Sequence, residues 1–148
     1  MQVSLFEPEI PQNTGTIARL CSCFDIPLNI IEPASFILDN KKFKRAGMDY
    51  LDHVDLRRHT SFENFRKSIG GRIILLDIKA KTKYFDINYR EDDCLMVGKE
   101  STGVPDEIFD ICDERVIIPM CSGRRSINVA LSLGIVLGEA LRQTKWNI

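Results

Sequence analysis

Short runs of β-branched and leucine residues recur along the chain, separated by segments whose apolar residues return every three or four positions. That alternation is the pattern of α/β units: a single domain, residues 1–148, with a mainly parallel sheet flanked by helices. The predicted strands are Val3 to Phe6, Leu28 to Ile31, Ile73 to Asp77, Leu95 to Gly98 and Val116 to Pro119. Several are apolar at consecutive positions, as strands covered on both faces should be. Between them, Asn13 can cap a helix to about Phe24. Thr60 with Glu63 resembles a capping box for a helix to about Ile69, and Pro105 suits the first position of a short helix to about Cys112. The last helix, about Ile127 to Gln143 with Ser126 as N-cap, is encircled by Leu131, Leu133, Ile135, Val136, Leu137 and Leu141. Packing on one sheet would leave part of that surface in water, so a second interface is expected, and a homodimer is its economical source.

Composition narrows the class. With 148 residues, 44% apolar and 28% charged, the chain can bury one core of its own. It has no apolar run of about 18 residues and no leader pattern, which predicts a cytoplasmic protein without a membrane partner. Five cysteines, mostly inside apolar segments, predict reduced and buried thiols; Cys21-Ser-Cys23 lacks the spacing of a zinc or redox pair, and no metal is expected. A net charge of −1 means that an RNA partner would need a local basic patch. The densest candidate is Lys41, Lys42, Lys44 and Arg45 with Arg57, Arg58 and His59, diluted by Asp49, Asp52 and Asp55. A solvated helix face explains the same residues equally well.

Three loops at strand ends or helix starts are placed where α/β folds bind ligands. The first, EPEIPQNTGTIARL, contains Asn13, readable as a cap, and Arg19. Arg19 stands among Ile17, Leu20 and Cys21, where a guanidinium calls for a carboxylate or phosphate. The second, GKESTGVP after CLMV, sets Gly98 and Gly103 around Glu100. Its glycines permit close backbone approach or positive φ, for a ligand or merely for a tight connection. Neither a P-loop nor GxGxxG is present, which counts against an ATPase and a dinucleotide enzyme. In the third, IPMCSGRRSINVALSLG, Arg124 and Arg125 precede a helix, where the dipole disfavours cations and favours an incoming anion.

Taken together and in order, NTGTIARL, MVGKESTGVP and IPM…RSINVA resemble the three motifs of the SpoU branch of the SPOUT methyltransferases. EPEIPQNTG, KRAGMDY (Lys44 to Tyr50) and the short stretch after the last helix extend the likeness over essentially the whole chain, to the minimal TrmL-type enzymes. The resemblance implies a C-terminal trefoil knot, a homodimer, and S-adenosylmethionine-dependent 2′-O-methylation of the wobble nucleotide, position 34, of certain leucine tRNAs. It implies cofactor contacts at Leu76, Gly98, Gly103, Ile118, Met120 and Ser126, several through backbone groups. It makes Arg19 the leading catalytic residue, with Asn13, Glu100 and Asn128 organising the site and Glu100 a candidate to orient Arg19. Lys44, Arg45, His59, Arg124 and Arg125 would hold the anticodon stem-loop. Gly138, where many members carry an aromatic residue, and Arg124, where a small polar one is frequent, depart from the pattern. The alternatives are a methyltransferase for another tRNA or rRNA position and a non-catalytic RNA-binding module of the same fold.

Overall fold

Strands with no polar face must be covered on both sides, and IILL (Ile73–Leu76) and CLMV (Cys94–Val97) pair in parallel at the middle of the sheet. The computed structural model describes residues 1–37 and 53–144. Within them the strands are β1 (Gln2–Phe6), β2 (Leu28–Ile31), β3 (Leu56–His59), β4 (Ile73–Leu76), β5 (Thr82–Lys83), β6 (Cys94–Val97) and β7 (Glu114–Ile117). The helices are α1 (Pro11–Cys23), α2 (Phe62–Ser68), α3 (Asp106–Ile111) and α4 (Val129–Thr144).

The strand order is β3-β2-β1-β6-β4-β7-β5, and every pairing is parallel. Side chains alternate between two cores, as a period of two requires. Ile74, Leu95 and Val97 join Ile17, Ala18, Leu133, Val136 and Leu137 under α1 and α4. Ile73, Leu75, Cys94 and Met96 face Phe65 and Ile69, with Ile108 and Phe109 packed against them, under α2 and α3. The chain runs outward from β1 through β2 to β3, crosses to β4 and the far edge at β5, then returns to insert β6 between β1 and β4 and β7 between β4 and β5, so the two halves of the sheet meet between β1 and β6. A crevice at such a junction opens at the carboxyl ends of the strands.

The five expected strands are present, and two further ones flank them. β3 has the sequence LRRH and β5 is two residues, TK; both lie at sheet edges, where one side needs no apolar cover. Three caps differ from expectation. Helix α1 starts at Pro11 with Ile10 in the cap position, so Asn13 already lies inside the first turn. Helix α2 is capped by Ser61, whose hydroxyl accepts from the Asn64 N–H, while Glu63 pairs with Lys67 instead of closing a box. Helix α4 starts at Val129, and its cap is Asn128, not Ser126: Asn128 Oδ1 accepts from the N–H groups of Ala130 and Leu131 at 2.9 and 3.3 Å.

The cysteines form no disulfide. Cys21, Cys94 and Cys112 are buried, and burial pushes each thiol up to about 12. Cys23 and Cys121 are exposed, against the expectation of burial, because the one ends α1 and the other lies in the turn after β7.

A candidate ligand pocket at the strand ends

The second motif folds on itself because its two glycines touch. Lys99 and Gly103 exchange backbone hydrogen bonds of 3.0 and 2.9 Å, which brings Gly98 so close that a Cβ there would lie 2.5 Å from the Gly103 carbonyl carbon. Gly103 also has φ of +70°, a left-handed conformation suited to glycine. Gly98 is thus fixed by close approach and Gly103 by φ. Residues 100–102 form the tip between them.

That tip clasps the first motif. Glu100 Oε2 accepts from Glu9 N–H at 2.9 Å, while Oε1 accepts from Ile10 N–H at 3.2 Å and Asn13 Nδ2 at 3.1 Å. A carboxylate from a distant loop therefore holds the backbone that leads into α1 and a side chain of its first turn, next to the positive end of the helix dipole. Glu9 returns the contact, accepting from the Ser101 hydroxyl at 2.8 Å and the Ser101 N–H at 2.9 Å. These two bonds, the hydroxyl foremost, hold the Glu9 carboxyl below its usual range. Glu100 thus orders the α1 entrance through these donors, where pairing with Arg19 was expected.

The third motif is tied in through Asn13. Its Oδ1 accepts from Asn128 Nδ2 at 3.0 Å, and Asn128 in turn caps α4. Glu100, Asn13 and Asn128 form one hydrogen-bonded chain, joining residues 87 and 115 positions apart in sequence. It connects the starts of α1 and α4 to the loop after β6.

Above this frame, the ends of β4, β6 and β7 and the start of α4 enclose a cleft of about 440 Å³. Leu76, Gly98, Gly103, Ile118, Met120 and Ser126 all line it, as do Asn13, Glu100, Asn128 and Arg125. Its size lies in the range of small-molecule sites, and its walls mix apolar side chains with a few polar ones. Three further charged residues in the wall, Asp77, Lys79 and Lys99, were not anticipated, and Lys99 is paired with Glu7. Asp77 had a signal: it is the first polar residue after the apolar run IILL, hence at the carboxyl end of a parallel strand.

Other expected residues lie elsewhere. Arg19 is exposed on α1 and does not line the pocket of its own chain. Arg124 is exposed, in the turn that Arg124 N–H closes onto the Cys121 carbonyl, with Gly123 at φ of +79°. His59 ends edge strand β3, across β2, β1 and β6 from β4. Its Nε2 shares a 2.9 Å hydrogen bond with Asn29 Oδ1 and its ring meets Phe65 edge-on. Burial, then Arg57, keeps its pKa below the usual histidine value. Arg57 and Arg58 pair with Asp55 and Glu32, which neutralises that part of the basic patch. Lys44 and Arg45 lie outside the described residues.

Comparison with known proteins agrees with this geometry. The model of the SpoU rRNA Methylase family matches residues 1–138. A relative from Beijerinckia indica named tRNA (cytidine(34)-2′-O)-methyltransferase is 49% identical, over 95% of this chain and 90% of its own length. A solved structure described under 2-OH methylation of C/U34 on tRNA superposes with a TM-score of 0.89 and 39% identity, over 96% of this chain and 94% of its own. The SpoU methyltransferase AviRb of Streptomyces viridochromogenes, solved in complex with AdoMet, shares the fold at a TM-score of 0.85 and 24% identity, over 97% of this chain and 57% of its own.

Proposed function

This chain belongs to the SpoU rRNA methylase family, and on that premise we propose that it methylates the ribose 2′-oxygen of the wobble nucleotide of tRNA, with S-adenosylmethionine as donor. The supporting observation is the single cleft lined by all three motifs and framed by the Glu100–Asn13–Asn128 chain. The names of relatives that match nearly the full chain specify position 34 of tRNA. Leucine tRNAs are the narrower form of the proposal, as are a cytoplasmic location and the trefoil knot.

The cleft suits the cofactor. Leu76, Ile118 and Met120 offer an apolar wall for a nucleoside base, and Arg125, in the loop leading into α4, offers a cation for a carboxylate. When bound, the cofactor supplies a methyl group activated on a sulfonium. Nothing on the protein need react covalently, so the rate depends on alignment. The clasp between Glu100 and the α1 entrance and the Asn13–Asn128 bond hold the cleft walls in register.

Arg19 is the proposed catalytic residue. A guanidinium stays protonated, so it serves by holding the neighbouring phosphate and stabilising negative charge as the 2′-oxygen loses its proton. Since Arg19 stands outside its own pocket, in this reading it serves the pocket of a second copy of the chain. Arg124, outside the cleft lining, approaches the RNA backbone together with Lys44 and Arg45, whereas Arg125 stays with the cofactor carboxylate. The hydrogen bond of His59 to Asn29 favours a structural role for that ring.

The test is incubation of purified protein with labelled S-adenosylmethionine and tRNA, followed by mapping of the modified nucleotide. Label at the 2′-oxygen of position 34 is expected, and Arg19→Ala should lower the rate at least a hundredfold while leaving cofactor binding intact. Label in rRNA, or RNA binding without cofactor binding, overturns the assignment.

A further inference from the structure

The cleft wall carries two carboxylates, and their oxygens differ in what they already hold. Both oxygens of Glu100 are taken by the start of α1. Asp77 is half-buried at the end of β4, anchored by its N–H donating to the Val116 carbonyl at 3.1 Å. Its Oδ1 accepts from the Lys79 N–H at 2.8 Å, closing a tight turn. Its Oδ2 faces Gly103, where a Cβ would stand 2.9 Å from that oxygen, so a side chain at residue 103 would crowd it. The ammonium of Lys79, two residues on, is engaged elsewhere, since Lys79 Nζ donates to Asp106 Oδ1 at 2.9 Å. Asp77 Oδ2 therefore keeps open acceptor capacity in a ligand cleft, held in place by strand, turn and glycine.

We infer that Asp77 binds the ribose diol of the cofactor through Oδ2. The inference rests on the assignment of this cleft to S-adenosylmethionine. That molecule has three kinds of donor: the adenine amino group, the α-ammonium and the two ribose hydroxyls. The adenine base, amino group included, goes with the apolar wall of Leu76, Ile118 and Met120. The α-ammonium shares its carbon with the α-carboxylate, which is drawn to Arg125 and the N-terminal end of α4 and repelled by a second carboxylate. The diol is neutral and places two O–H donors within reach of one carboxylate. Charge-assisted bonds of this kind are among the stronger ones. Asp77 is thus a positioning residue, fixing the nucleoside while the sulfonium projects toward the RNA.

Isothermal titration with S-adenosylhomocysteine and with 5′-methylthioadenosine, which keeps the diol but lacks the amino-acid tail, tests this. Asp77→Asn retains Oδ1 for the Lys79 N–H and replaces Oδ2 with an amide nitrogen. It should weaken both ligands about tenfold or more. In turnover, KM for S-adenosylmethionine should rise with kcat nearly unchanged. Unchanged binding of both ligands overturns the inference, as does weakening of S-adenosylhomocysteine alone, which would make the α-ammonium the partner. A ligand-side test needs no variant: wild-type protein should bind 2′,3′-dideoxy-5′-methylthioadenosine about tenfold more weakly than the parent compound, and equal binding overturns the inference. Failure of the wild type to bind any of these ligands overturns the cleft assignment itself, whatever Asp77 does.

Discussion

At the scale of single residues, the two glycines of the second motif illustrate how one letter answers two different demands. Gly103 needs its conformation, and Gly98 needs its missing side chain. The sequence offered both reasons without saying which applied where, because close approach depends on a partner five positions away folding back. Gly98→Ala separates them, since its Cβ would meet backbone that cannot move without breaking the Lys99–Gly103 bridge. The expected cost is about 1–3 kcal/mol of stability. S-adenosylhomocysteine binding should fall at least tenfold, read by urea denaturation and titration. Asn13 and Asn128 teach a related lesson. Asn13 was readable as a cap and Ser126 as another, yet Asn128 caps α4 while Asn13 bridges two loops. Choosing among cap candidates requires knowing which residue is the last outside the helix, and that is set by tertiary contacts.

At the scale of elements, the buried strands were legible because burial on both faces leaves an unbroken apolar signature. The edge strands were not. β3 carries Arg57, Arg58 and His59, which looked like a patch for RNA, and it forms through backbone pairing with β2 that composition does not report. Helix α4 was legible in type and extent, but its far end is secured by polar contacts. Glu139 accepts from Arg142 and Gln143, and Gln143 reaches across to the Ile87 carbonyl and the Tyr89 N–H. Hydrogen bonds from Arg142, then from Gln143, pull the Glu139 carboxyl down to about 2. A lowered carboxylate contributes stability that is complete above its ordinary pKa of 4.5 and lost as pH falls from there toward 2. Arg142 is 67% exposed, so screening limits the effect to below about 1 kcal/mol. Glu139→Gln should therefore lower stability slightly at pH 7 and shrink the loss between pH 4.5 and 2, as urea midpoints across that range would record.

At the scale of the whole molecule, the expectation that apolar residues encircle α4 divides into two parts. Leu133, Val136, Leu137 and Leu141 are buried with the core under α1 and α4. Leu131 and Ile135 are 63% and 41% exposed, and at a spacing of four they share a face with Gly138, where a Cβ would meet nothing within 4 Å. Leu20 of the neighbouring α1 packs beside Gly134, which puts Arg19 one residue from that helix contact. An apolar face next to a guanidinium that does not line its own cleft fits a homodimer in which each copy completes the pocket of the other. Ile135→Asp would set a charge into that interface and should give a folded monomer by light scattering. S-adenosylhomocysteine affinity should stay within about threefold, because the cleft walls come from one chain. Methyl transfer should nevertheless fall about a hundredfold or more, since the opposing Arg19 is lost. A fully active monomer would show that Arg19 acts within its own chain and would overturn the shared pocket.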